Sequence, residues 1–193
     1  MAIKAIVFDC FGVLVSPGST MLYRAYPQLH DEINDLAHQS DYGMISRAQF
    51  NSSIAKLIGI KPDEVQSRYY DINVRDESTF EWVRELKSTG KFKLGLLSNV
   101  GHNWLNDFIP AADRAELFDE VVISGDVGMI KPEIKIFELM AERLGLQTNE
   151  CVMIDDVQLN IEGAVNAGMQ GIVFKTASQA RSDLKRLLGK QSA

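Results

Sequence analysis

Basic residues are the minority charge in this 193-residue chain: 20 Lys and Arg stand against 26 Asp and Glu, for a formal net charge of −6. A surface built for nucleic acid or an anionic membrane usually shows the opposite excess, so neither is expected as a partner. A phosphorylated small molecule stays open, because one lysine and one bound metal can offset a locally acidic site. No apolar run approaches the roughly 18–20 residues that span a bilayer. The opening MAIKAIVFDCFGVLV begins like a signal peptide, but Asp9 interrupts it and no small-residue cleavage site follows. A buried strand is expected there instead. Cysteine is scarce: Cys10 and Cys151 lie far apart and form neither a framework nor a C-x-x-C pair. A reduced, cytoplasmic setting is the expectation.

Other absences narrow the chemistry. No G-x-G-x-x-G follows the first apolar run and no G-x-x-x-x-G-K-[ST] occurs, which argues against dinucleotide and P-loop nucleotide folds. His30, His38 and His102 show no metal-ligand spacing, and all three are expected in solvent. A cysteine phosphatase needs Arg where Ser16 stands after Cys10. Side chains alternate along a strand, so Cys10 should point away from Asp9 into packing. There are no internal repeats, low-complexity tracts or long linkers.

What is present is ordinary globular composition, 46% hydrophobic and 24% charged, enough for one core domain with a small insert. Five short apolar runs read as strands buried on both faces: 3–8, 92–97, 120–123, 151–154 and 171–174. Helical patterns lie between the later ones. Ser78 with Glu81 predicts a capping box before Phe80, Val83 and Leu86, and Gly90 suits the C-terminal end. Pro132 is placed at a first helical position ahead of Ile136, Phe137, Met140, Ala141 and Leu144, with Gly145 as the stop. Ile161, Ala164 and Val165 repeat the theme before Gly168, and Leu184, Leu187 and Leu188 line a last helix whose basic residues face solvent. Alternating strand and helix predicts an α/β fold, a doubly wound parallel sheet. Residues 16–75 break the alternation with helical signals alone, including a Ser46–Gln49 capping box before Phe50 and Ile54, and Pro62 opening another helix. The expected organisation is a core of residues 1–15 and 76–193 carrying a helical cap over 16–75.

Ligands of such a sheet bind beyond the carboxyl ends of its strands. At those ends stand Asp9, Ser98 with Asn99, and Asp155 with Asp156, while Lys131 follows the third strand. A lone strand-end Asp is usually a turn or a cap; the whole set in this order is harder to explain so. Asp9, Asp155 and Asp156 are hard oxygen ligands that suit Mg²⁺, and a cation would relieve their mutual repulsion. Asp9 is then placed as a carboxylate nucleophile. Ser98 and the amides near Asn99 are expected to bind phosphoryl oxygens, and Lys131 to offset their charge. Receiver domains carry similar groups, but their acidic pair follows the first strand, whereas here it follows the fourth.

The segments VFDCFGVLV, LLSN, IKPEIKIF and MIDD with NIEGAVNAG resemble, in order and spacing, the four motifs of the haloacid dehalogenase-like (HAD) hydrolase superfamily. The likeness is greatest to the branch with a small helical cap and a double Asp in the fourth motif, which includes sugar-1-phosphatases and the N-terminal domains of epoxide hydrolases. The resemblance implies a Rossmann-like core, an aspartyl-phosphate on Asp9, Mg²⁺ as cofactor and a small phosphorylated metabolite as substrate. It also implies a metal ligand in the backbone carbonyl of Phe11.

Phe11 is the departure. Family phosphatases carry a second Asp there as general acid and base, and its loss costs roughly 10²–10⁴ in rate. The chain is expected to use good leaving groups, to draw a proton from water or from the cap (Tyr23, Arg24 and Asp41 being the candidates), or to be a weakened phospho-ligand binder. The 2-haloacid dehalogenases also have an aromatic residue there, and metal-free dehalogenation by Asp9 is the enzymatic rival. They lack the acidic pair Asp155–Asp156, which favours Mg²⁺ and phosphate.

Overall fold

A computed structural model describes residues 2–17, 19–71 and 73–189. Five strands form one parallel sheet: β1 (Ala5–Phe8), β2 (Lys93–Ser98), β3 (Glu120–Ile123), β4 (Cys151–Asp155) and β5 (Gln170–Val173), in the order β3-β2-β1-β4-β5. The order reverses between β1 and β4, which makes the carboxyl ends of these two central strands the switch point. β1 and β4 are buried along their whole length, as their unbroken apolar runs predict.

Ten helices accompany the strands among the described residues. Between β1 and β2 come α1 (Ser19–Ala25), α2 (His30–Asp41), α3 (Arg47–Ile58), α4 (Pro62–Tyr69) and α5 (Glu77–Ser88). After β2 follow α6 (Ala111–Leu117), the single turn α7 (Ser124–Val127), α8 (Ile134–Arg143), α9 (Gln158–Asn166) and α10 (Ala177–Gly189). Alternation along β1 splits the core in two. Ile6, Phe8 and Cys10 face a cluster with Trp82 and Val83 of α5 and Leu184 of α10; Ala5 and Val7 face Ile136, Phe137 and Met140 of α8 and Ala164 of α9. Cys10 is buried on the side away from Asp9, and Cys151 begins β4 in the opposite cluster.

The Ser46–Gln49 capping box on α3 and the Pro62 start of α4 are present, and Gly90, Gly145 and Gly168 follow their helices in the left-handed region that glycine tolerates. Three local readings are corrected. The cap of α5 is Asp76, not Ser78: its Oδ1 accepts the Thr79 N–H at 3.1 Å and the Ser78 hydroxyl at 2.5 Å, while its own N–H is held by the Leu14 carbonyl. Pro132 is not a first helical residue; α8 starts at Ile134 with Glu133 as its cap, and Lys131–Pro132 is a cis bond. That stretch serves to hold Lys131 and to pack on α9, where a Cβ on Gly163 would lie 2.4 Å from the Pro132 carbonyl oxygen. Val165 is 52% exposed, because α9 buries its Ile161 and Ala164 stripe only.

Candidate active site

Each strand-end residue arrives where its strand runs out of apolar sequence. Asp9 follows β1 directly, its N–H still bonded to the Ile154 carbonyl of β4, so it is held at the switch point by the sheet itself. Asp155 closes β4 fully buried. Between them lies the Lys131 ammonium, 2.8 Å from Asp9 Oδ1 and 2.6 Å from Asp155 Oδ2, with a side chain that is 0% exposed. A buried ammonium is tolerable only when paired this closely. Burial alone would lower its pKa; the charges and hydrogen bonds of Asp9 and Asp155 override that and hold it above the ordinary lysine range.

The three carboxylates differ in their partners. Asp155 Oδ1 accepts the Val157 N–H at 2.8 Å, and both its oxygens accept the Asn160 amide at 3.1 Å, besides the bond to Lys131. Burial works against its charge, but Lys131 and these donors keep its carboxyl below the usual range. Asp9 accepts from the Cys10 N–H at 2.6 Å, yet burial and the neighbouring Asp155 charge push its pKa well up against the pull of Lys131. Asp156, the residue after β4, is more exposed than the other two, and desolvation followed by the Asp155 charge raises it too. One oxygen from each of Asp9, Asp155 and Asp156 lies within 4.8 Å of the others. Three carboxylates against one ammonium leave two negative charges unmatched, the charge of one divalent cation, and hard oxygen donors suit Mg²⁺ or its like. Gly12 leaves room for this arrangement: its φ is +87°, and a Cβ there would sit 2.2 Å from Asp156 Oδ2.

Ser98 ends β2, fully buried, and its Oγ has no hydrogen-bond partner. A buried hydroxyl without a partner, at a strand end on the same edge of the sheet, fits a polar ligand there. The side chain of Asn99 is engaged within the protein. Its Oδ1 accepts the Lys131 N–H at 2.8 Å and its Nδ2 donates to the Lys131 carbonyl at 2.9 Å, so its side chain clamps the lysine's backbone. Phe11 is half-buried, its ring edge-to-face with Phe108 at 5.2 Å.

Above the strand ends, the C-terminal end of α2 lies on the loops that follow β2 and β3. A Cβ on Gly101 would be 2.7 Å from Ser40 Oγ, and one on Gly43 would be 2.3 Å from the Gly125 carbonyl oxygen. Tyr42 donates its hydroxyl to Glu133, just after Lys131. A cavity of about 190 Å³ lies there, lined by Phe11, Tyr23, Asp41, Tyr70, Asn99 and Trp104 among others. Of the three cap candidates, Tyr23 and Asp41 face it; Arg24 is in solvent. Trp104 packs edge-to-face on Phe50 and Tyr70, 5.4 and 4.8 Å away, but it also lines the cavity and its indole N–H is unpartnered. His30, His38 and His102 are exposed, His102 being paired with Asp126 at 2.6 Å. Sequence reasoning missed Asn160 and the Tyr42–Glu133 contact; a polar residue in the first turn after Asp155–Asp156 was the signal for the former.

A doubly wound sheet with an ammonium and three carboxylates at its switch point defines an α/β enzyme core built around carboxylate chemistry. The family model of haloacid dehalogenase-like hydrolases matches residues 3–168, and the chain belongs to that family of hydrolases. Its relatives include the bifunctional epoxide hydrolase 2 of Sus scrofa, 34% identical over 113 residues, which cover 55% of this chain and 20% of that protein. The pyrophosphatase PpaX of Bacillus cereus is 23% identical over 96% of this chain and 89% of its own length. Among solved structures, a HAD family enzyme of Bacteroides thetaiotaomicron in complex with magnesium and inorganic phosphate superposes with a TM-score of 0.73 at 22% identity, covering 90% of this chain and 95% of that one. The L-2-haloacid dehalogenase of Xanthobacter autotrophicus, with chloropropionic acid covalently bound, gives 0.60 at 24% identity over 88% and 76%. These likenesses show the fold. Among the described residues no helix is long and apolar enough to cross a membrane.

Proposed function

We propose that this hydrolase is a Mg²⁺-dependent phosphatase acting on a small phosphorylated metabolite in the cytoplasm, with residues 16–75 as its cap. The observation that carries this reading is the uncompensated acidic trio: a site that displaced halide without metal would have no use for Asp156 poised over Gly12 beside Asp9. Asp9 and Asp156, with the carbonyl of Phe11, would hold the cation. A carboxylate accepts about four hydrogen bonds. Asp155 already takes four contacts from Lys131, Val157 and Asn160, so its task is to anchor the lysine. Bound Mg²⁺ supplies positive charge to the phosphoryl oxygens and relieves the crowded carboxylates.

The chain's own groups do the rest. Asp9 attacks phosphorus and forms an aspartyl-phosphate, displacing the alcohol; water then attacks phosphorus and frees Asp9. The free Ser98 hydroxyl and the amides after Asn99 receive the phosphoryl oxygens, and Lys131 offsets the charge that builds on them. The 190 Å³ cavity, walled by Phe11, Tyr23, Tyr70 and Trp104, suits a compact leaving group.

A paired assay tests the reading. Phosphate release from alkyl, aryl and sugar-1-phosphates is expected with Mg²⁺ and not with chelator, with Asp9→Asn silent, and no halide release from 2-haloacids. Chelator-insensitive halide release would establish the dehalogenase instead; silence in both would leave a binder. Gly12→Ala gives a second check. A methyl there displaces Asp156, so the Mg²⁺-induced rise in melting temperature should shrink to a small fraction of the wild-type rise. An unchanged rise would remove Asp156 from the metal site.

A further inference from the structure

Phe11 leaves the departing alcohol without a proton donor in the first-motif loop, which turns attention to the other walls of the cavity. Among the described residues, Asp41 is the only carboxyl lining it. It is the last residue of α2, set by the close packing of Ser40 on Gly101, and it shares the cavity with Phe11 and with Asn99, the clamp of Lys131. No hydrogen bond or ion pair from a described residue engages its half-buried carboxyl, which leaves it free to meet a ligand in the cavity. We infer that Asp41 is the general acid and base of this enzyme, standing in from the cap for the acid that Phe11 cannot be.

Two further features support the assignment. Burial pushes the Asp41 carboxyl up to about 7, with the Lys131 charge pulling the other way, so a large share is protonated at neutral pH and it lies within the field of the catalytic lysine. Tyr23, the other cap candidate on the cavity, has its hydroxyl held above the usual phenol range by burial and by Asp41 itself, so it is the weaker donor.

The assignment rests on the phosphatase reading and closes its proton balance. As Asp9 bonds to phosphorus and the P–O bond to the alcohol breaks, the Asp41 proton goes to the alcohol oxygen, leaving Asp41 a carboxylate. That carboxylate takes a proton from the water that attacks the aspartyl-phosphate, so one water is consumed and alcohol and phosphate are released.

The test compares a primary alkyl phosphate with p-nitrophenyl phosphate, whose phenolate leaves without a proton. Asp41→Asn should lose about 10²–10⁴ in turnover of the alkyl ester. It should lose far less in first-turnover phenolate release, which becomes a burst followed by slow hydrolysis. Asp41→Glu, which keeps the carboxyl, should retain more alkyl activity than Asp41→Asn. Adding Phe11→Asp to Asp41→Asn should restore alkyl turnover. Equal losses in first-turnover release of alcohol and phenolate, or an Asp41→Asn enzyme that matches wild type on the alkyl ester, would overturn the assignment while leaving the phosphatase intact. A wild-type enzyme that releases no phosphate from either ester would remove the phosphatase reading and Asp41 with it.

Discussion

Lys131→Met is expected to cost the metal-free fold about 3–5 kcal/mol and to silence the enzyme. The side chain is fully buried, and among the described residues its ammonium is the only positive charge bonded to Asp9 and Asp155, at 2.8 and 2.6 Å. Methionine fills the same channel but leaves two carboxylates facing each other beneath the sheet's carboxyl edge. Urea unfolding in chelator measures the loss, and saturating Mg²⁺ should recover part of it by supplying charge next to the same carboxylates. A change below about 1 kcal/mol would place Lys131 among the exposed ion pairs that contribute little.

Asp9→Asn should separate stability from activity. Removing the nucleophile is expected to lower turnover by roughly 10⁴–10⁶, as deletion of a nucleophile does where the neighbouring groups act with it as a unit. The metal-free fold should nevertheless melt no lower than wild type and is expected to melt higher. Burial and Asp155 oppose the charge of Asp9, and asparagine keeps an oxygen for the Cys10 N–H and for Lys131 while carrying no charge. Melting curves with and without Mg²⁺ check this: the variant should gain in chelator and lose much of the wild-type response to metal. A large loss of stability in chelator would mean that Asp9 is chiefly a structural partner of Lys131.

The sheet was legible because a strand covered on both faces must be apolar throughout, and Ala5–Phe8 and Cys151–Ile154 carry that pattern without interruption. The site was legible at the points where the pattern stops, at Asp9, Ser98 and Asp155, since parallel strands bring all their carboxyl ends to one edge. Local competition hid the rest. Asp76 outbids Ser78 as a cap because a carboxylate accepts more strongly and its backbone is already fixed by Leu14. Pro132 reads as a helix start until Asn99, 32 residues away, is seen to grip Lys131 on both sides of its backbone. Asp41 shows the limit most clearly. The helical signals of residues 16–75 contain it but say nothing of what covers it; the cap meets the core there through close approaches at Gly43, Gly101 and Gly125, residues without side chains to signal it.

Phosphoryl transfer and halide displacement differ in the atom that water attacks. In a single turnover of a phosphomonoester in heavy-oxygen water with Mg²⁺, water attacks phosphorus, so the released phosphate should carry the label and the peptide containing Asp9 should carry none. In a halide displacement water attacks the Asp9 carboxyl carbon of an ester intermediate, and the label enters the enzyme. Heavy oxygen in Asp9 after a turnover with 2-chloropropionate, and unlabelled phosphate throughout, would contradict the aspartyl-phosphate assignment.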